Sequence, residues 1–274
     1  MKKLFFVFAC LIPTLIFAQT IKTDVLILGN ADAAYSSGLQ VSRSGASVII
    51  LTQSNPFSLD KIKETKSAEI YKIYENVQLR GIAYIKDLEK KSTQTKKTNT
   101  RKDKVDSIKL FKIINDTPIV TIERSGSGWE VKISKGKSIK AKVLVVAGNN
   151  DQLLSNLNIN RLKPVHLSAL NYTENLYRTT IAGITGTPNF LSLYHLLIPD
   201  QENLLYIDRN SIEIGQAAGA TAAYAAFFKM KTSLSNLKTI QGELLTYKLP
   251  MIPFADVKVT DSNWLAIQRI GVTG

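Results

Sequence analysis

The chain has 274 residues, 45% of them hydrophobic, with 35 Lys and Arg against 22 Asp and Glu and a formal net charge of +13. That length suits one large α/β domain or two small ones with a sizeable core. The one cysteine, Cys10, lies in the N-terminal leader, so the rest of the chain has no disulfide, thiolate metal site or redox cysteine pair, which excludes disulfide-reductase chemistry.

Lys2 and Lys3 precede an apolar run from Leu4 to Phe17, which ends in the small residue Ala18. This is the charged, apolar and small-residue order of a secretory signal. The run is shorter than the ~20 apolar residues that cross a bilayer, and Pro13 interrupts it. We expect residues 1–18 to be removed, leaving 256 residues that begin at Gln19, carry no transmembrane span and are secreted or periplasmic. Mass determination of the mature protein checks this.

The stretch "DVLILGNADAAYSSGLQVSRSGASVIILTQ", Asp24 to Gln53, predicts a strand, a turn at Gly29, a helix from Ala33 to Arg43, a stop at Gly45 and a second strand. The continuous apolar runs are those of buried parallel strands, and the unit is a right-handed crossover. In its phosphate-binding form such a unit carries G-x-G-x-x-G. This chain places Gly29, Ala31 and Ala34 at those positions. The Ala31 methyl projects where a pyrophosphate needs bare backbone, and Asp32 puts a negative charge at the helix N-terminus. Thr52 or Gln53 stands where an acidic residue would hold a ribose. A phosphate there would bind weakly. Ala31→Gly with Asp32→Ala, followed by Thr52→Glu, is expected to tighten binding of a dinucleotide there. The same unit also occurs in parallel α/β proteins without a nucleotide, and that reading stays open.

A helical and lysine-rich segment follows to about Phe111. From Lys86 to Lys109 the lysines have no interleaved aromatics, so that stretch reads as a solvated surface segment rather than a nucleic-acid site. Residues 86–109 are expected to be the most mobile and the first cut by protease. A β-rich piece spans Ile113 to Lys142, and a returning strand ends at Ala147-Gly148. The mixed segment from Leu153 to Pro199 holds His166 and His195, each read as a possible base or as a satisfied core residue. No H-x-x-x-H, paired-carboxylate or nucleophile-elbow pattern is present, so no metal site is expected and no catalytic residue is assigned.

"ENLLYIDRNSIEIGQAAGATAAYAAF", Glu202 to Phe227, resembles the last strand and flavin-facing helix of secreted FAD-dependent oxidoreductases of the two-dinucleotide-binding-domain type. "GWEVKISKGKSIKAKVLVVAGNN", Gly128 to Asn150, resembles their β-hairpin and the strand that follows it. The resemblance implies FAD as cofactor, with Gly29, Ala31, Ala34, Thr52, Ala147, Gly148, Arg209, Gly215, Gln216 and Ala217 contacting it. The small residues of Gly215-Gln216-Ala217 would let a ring or pyrophosphate approach the helix start; the same residues also suit a helix packed tightly on a sheet. Asp208 stands where the family's strand usually ends in glycine, and much of its substrate domain is missing. "PFADVKVTDSNWLAIQRIGVTG", Pro253 to Gly274, resembles the tail of some of these enzymes and also a single surface-layer homology motif. Alternatively, Trp264, Ile267 and Ile270 cover an apolar edge of the main domain.

The expected fold is α/β: an FAD/NAD(P)-binding Rossmann-like parallel sheet with a β-hairpin insertion and a short helical C-terminal tail. The expected division is a signal over 1–18, a reduced nucleotide-binding domain over 19–230 and the tail over 231–274. Two functions follow, an exported FAD-dependent oxidoreductase-like protein acting on a small molecule, or a non-catalytic pseudoenzyme that meets a cell-envelope partner.

Overall fold

The computed structural model describes residues 20–30, 32–53, 111–134, 136–148, 176–184 and 189–273. Ala31, His166, residues 1–18 and the stretch 86–109 fall outside them.

The first crossover forms as the sequence predicts, with β1 (Thr20–Leu28), α1 (Asp32–Arg43) and β2 (Val48–Leu51). Phe111–Ile114, read above as the boundary of the β-rich piece, is instead a third parallel strand, β3, beside β2. β4 (Ile119–Ser125) and β5 (Gly128–Ile133) make the hairpin that leads into β6 (Lys137–Ala147). A separate two-stranded ribbon follows, β7 (Thr180–Ile184) with β8 (Asn189–Ser192). β9 (Leu197–Ile198) then turns back to β10 (Gln201–Ile207), which feeds α2 (Ile212–Phe228). Helices α3 (Leu237–Thr246) and α4 (Trp264–Gly271) close the chain.

The main sheet has the order β3-β2-β1-β6-β10-β9, parallel except for the antiparallel edge strand β9. This is a Rossmann-like α/β sheet. Both faces are covered, which is why the strands are apolar throughout rather than alternating. Val25, Ile27, Val48, Ile50, Val143 and Val145 point to the helical side, while Leu26, Leu28, Ile49, Leu51, Leu144 and Val146 meet Trp129, Val131 and Ile139 of the hairpin layer. The long β6 makes this possible. On one side it pairs with β1 along almost its whole length, and on the other its first half takes β5 (Trp129 opposite Ala141) and its second half takes β10 (Leu204 opposite Leu144).

Asp24 and Lys142 tie β1 to β6 at 2.6 Å, and Ser47 donates its N–H (2.9 Å) and hydroxyl (2.7 Å) to the same carboxylate. Burial alone would raise the Asp24 carboxyl. The lysine and the two Ser47 donors outweigh it and hold the pKa below the ordinary carboxylate value.

Ile240, Leu244, Leu249, Met251, Ile252 and Trp264 join the same core as α1 and α2. Of the expected inward residues of α4, Trp264 is buried, but Ile270 is 66% exposed. Gln268 turns inward instead. Its Oε1 accepts from the N–H groups of Met251 (2.8 Å) and Ile252 (2.9 Å), and its Nε2 donates to the Ile252 carbonyl at 2.8 Å. A turn whose buried amides need partners has set the rotation of the helix, overriding the apolar spacing.

Candidate functional site at the carboxyl edge of the sheet

Open α/β sheets bind ligands beyond the carboxyl ends of their strands. Here that edge carries Gly29, Thr52, Asn115, Gly148 and the loop Asp208–Ser211, which follow β1, β2, β3, β6 and β10 in turn.

The backbone at the centre of the edge is tight. Gly29 has φ +150°, and a Cβ built there would lie 2.5 Å from the Ala147 carbonyl oxygen, so no other residue fits between β1 and β6. Its N–H goes to the Leu51 carbonyl at 3.1 Å, and the Gly148 N–H to the Ile207 carbonyl at 3.0 Å. Gly148 has φ +90° and open space where a side chain would stand. Ala34 and Ala147 are buried in the core.

Thr52 is only 1% exposed, and its hydroxyl donates to Asn115 Oδ1 at 3.2 Å. The hydroxyl is therefore committed inside the fold, not presented to a ribose. The expectation that Thr52→Glu tightens binding is corrected accordingly, because it would bury a carboxylate.

The start of α1 reveals a residue that the sequence reading did not single out. The Ala33 N–H, one of the free donors at the helix start, is taken by Asn210 Oδ1 from the loop before α2, at 3.0 Å. A neutral side chain thus stands where a phosphate oxygen would bind, with Asp32 in the same first turn. The dipeptide Asn210-Ser211 ahead of a helix was the available signal, since both residue types favour caps.

The start of α2 is closed in the same way. Ser211 accepts from the Ile214 N–H, its hydroxyl donates to the buried Glu213 at 2.5 Å, and the Gly215 N–H bonds the Ser211 carbonyl at 3.0 Å. Glu213 supplies negative charge to the helix start that would otherwise attract an anion.

Gly215 and Gly219 face α1. Cβ atoms there would lie 2.2 Å from the Ala33 carbonyl oxygen and 2.3 Å from that of Ser37. Gln216 is buried and donates to Gln40 Oε1 at 3.1 Å, and Ala217 is fully buried. The G-Q-A-A-G stretch thus seats α2 against α1. Arg209 is exposed on that edge.

His195 also comes near this edge, close enough for Asp208 and Arg209 to act on it with opposite sign. It is half-buried, and Nδ1 accepts the Ser192 N–H at 3.2 Å while the Ser192 hydroxyl accepts from the Tyr194 N–H, a reciprocal cap. Burial is the main cause that lowers its pKa. Because the unfolded imidazole binds a proton more readily than the folded one, His195 stabilises the protein above the unfolded pKa of about 6.5, and that contribution is lost as the pH falls below it. Urea midpoints should therefore drop between pH 7.5 and 5.5. His195→Asn, whose Oδ1 can accept the same N–H, should flatten that slope; an unchanged slope would assign the acid sensitivity elsewhere. Among the described residues no three His, Cys, Asp or Glu side chains gather to hold a metal.

No protein-family model and no curated protein sequence matches the chain. Solved structures do resemble it. Bacillithiol disulfide reductase Bdr (YpdA) from Staphylococcus aureus aligns at 12% identity over 46% of this chain and 38% of its own, with a TM-score of 0.29. p-Nitrophenol 4-monooxygenase PnpA from Pseudomonas putida DLL-E4 aligns at 12% identity over 52% and 45%, with a TM-score of 0.32. Halogenase PltM in complex with phloroglucinol and FAD aligns at 16% identity over 56% and 42%, also with a TM-score of 0.32. The chain spans less than half the length of each of these three.

Proposed function

We propose that this chain is an exported FAD-dependent oxidoreductase-like protein whose flavin binding is weak. The observation that carries the reading is the parallel sheet order, with Gly29 at the β1–α1 turn held against Ala147 and with Gly148 open beside it. That backbone fits a dinucleotide lying across the carboxyl edge. The polar groups do not fit as they stand, since Asn210 holds the Ala33 N–H and Thr52 is turned inward. A pyrophosphate would have to displace Asn210, and Arg209 is the nearest exposed cation on that loop to meet it.

These same contacts favour a second reading, a non-catalytic envelope protein that keeps the scaffold and fills its former phosphate site with its own side chains. The visible absorption spectrum of the purified, folded protein separates the two. A flavin band after incubation with FAD and desalting supports the first reading, and saturable quenching of flavin fluorescence supports it in a weaker form. A folded protein that gives neither supports the second.

A further inference from the structure

The carboxyl edge is one end of the sheet; the opposite end carries a feature that neither reading uses. α2 runs back across the sheet and finishes there, where Lys142 Nζ donates to the Ala226 carbonyl at 3.3 Å while paired with Asp24 of β1. Just beyond, Phe227 is 65% and Phe228 56% exposed. They stack edge-on with ring centroids 5.0 Å apart, and Phe228 leans on Tyr224 at 4.6 Å.

The turn that follows is pinned, not frayed. The Thr232 N–H goes to Asn203 Oδ1 and the Asn203 N–H to Thr232 Oγ1, each at 3.1 Å, and this buried pair displays Leu234 at 65% exposure. Lys229, Lys231 and Lys238, each within four residues of Phe228 or Leu234 in the sequence, are exposed. From Tyr224 to Gly242 there is no Asp or Glu, and the nearby Glu202 accepts from the Ser233 hydroxyl at 2.7 Å.

We propose that this end of the molecule docks on an anionic lipid bilayer, with Phe227, Phe228 and Leu234 entering the headgroup boundary and Lys229, Lys231 and Lys238 meeting acidic headgroups. Apolar residues of this size flanked by lysines are the composition of an interfacial lipid contact. A second copy of the chain fits less well, because a two-fold contact through this patch would set like lysine clusters against each other. The chain also enters the fold at this end. Thr20 starts β1 there, four residues before the Asp24–Lys142 pair. The proposal specifies the surface that the envelope reading requires and does not depend on FAD binding.

The test is photolabelling of the full chain with phosphatidylcholine vesicles, with and without phosphatidylglycerol, that contain a photoactivatable acyl chain, followed by peptide mapping. Mapping separates the patch from residues 1–19. Label is expected on the peptide spanning Phe227 to Leu234, dependent on phosphatidylglycerol, and lost in Phe227→Ser/Phe228→Ser. Lys229→Gln and Lys231→Gln should each lower it about fivefold. Label confined to residues 1–19, or patch labelling indifferent to phosphatidylglycerol, overturns the proposal. So does a lipid-free dimer in sedimentation that the double serine variant dissociates. These outcomes are independent of the flavin spectrum, so each reading can fail alone.

Discussion

Replacing Gly215 and Gly219 together with alanine should lower stability by about 2–4 kcal/mol. Each new methyl group meets a backbone carbonyl of α1, at 2.2 Å for Ala33 and 2.3 Å for Ser37, and neither oxygen can move without moving its helix. Overpacking of this kind typically costs about 1–3 kcal/mol per site, and obstruction by backbone puts both sites at the upper end. The better helix propensity of alanine returns up to about 1 kcal/mol per site, which is too little to offset the clash. For a chain of this size the loss corresponds to a melting point lower by roughly 5–15 °C. Gly242→Ala is the internal control. It lies in α3 with nothing within 4 Å of its added Cβ, so only the propensity gain operates and the protein should be stabilised by about 0.5–1 kcal/mol. If the double variant melts with the wild type, α1 and α2 are not in contact through these glycines, and the G-Q-A-A-G stretch must be returned to the ligand.

The same pair of glycines shows how much of the molecule could be read from its sequence. The β1–α1–β2 unit was legible because buried parallel strands leave continuous apolar runs and Gly29 and Gly45 punctuate them. The hairpin and β6 were legible for similar reasons. Phe111–Ile114 was not, since four residues after a long charged segment carry no periodicity that distinguishes a third parallel strand from the start of a hairpin. Small residues at the start of a helix are ambiguous by nature: they admit a cofactor or another helix equally well, and only the position of α1 decides. Gln268 and Asn210 were illegible for a different reason. Each satisfies a backbone group distant in sequence, Met251 and Ile252 for one and Ala33 for the other, and no local pattern marks such a pairing.

Asn210 also decides what becomes of the β1–α1 turn. A phosphate oxygen that takes the Ala33 N–H must first break the 3.0 Å bond to Asn210 Oδ1 and then sit beside Asp32. A neutral hydrogen bond contributes a net of about 1 kcal/mol, and an acidic side chain in the first turn of a helix contributes up to about 1 more at the same dipole. Asn210→Ala alone should therefore tighten FAD binding about fivefold, and Asn210→Ala with Asp32→Ala about tenfold or more. Both changes should also cost roughly 1 kcal/mol of stability as a helix start is uncapped. Opposite movement of stability and affinity is the signature of a donor that protein and ligand compete for. Thr52→Glu belongs to another class. It places a carboxylate at a site only 1% exposed and breaks the bond to Asn115, so it should weaken the fold without improving affinity. Titration by flavin fluorescence quenching, with urea unfolding of the same samples, measures both quantities. Should Asn210→Ala lose stability and still bind FAD no better than wild type, Asn210 is a helix cap and nothing more, the turn at Gly29 receives no phosphate, and the sheet serves this protein as a scaffold alone.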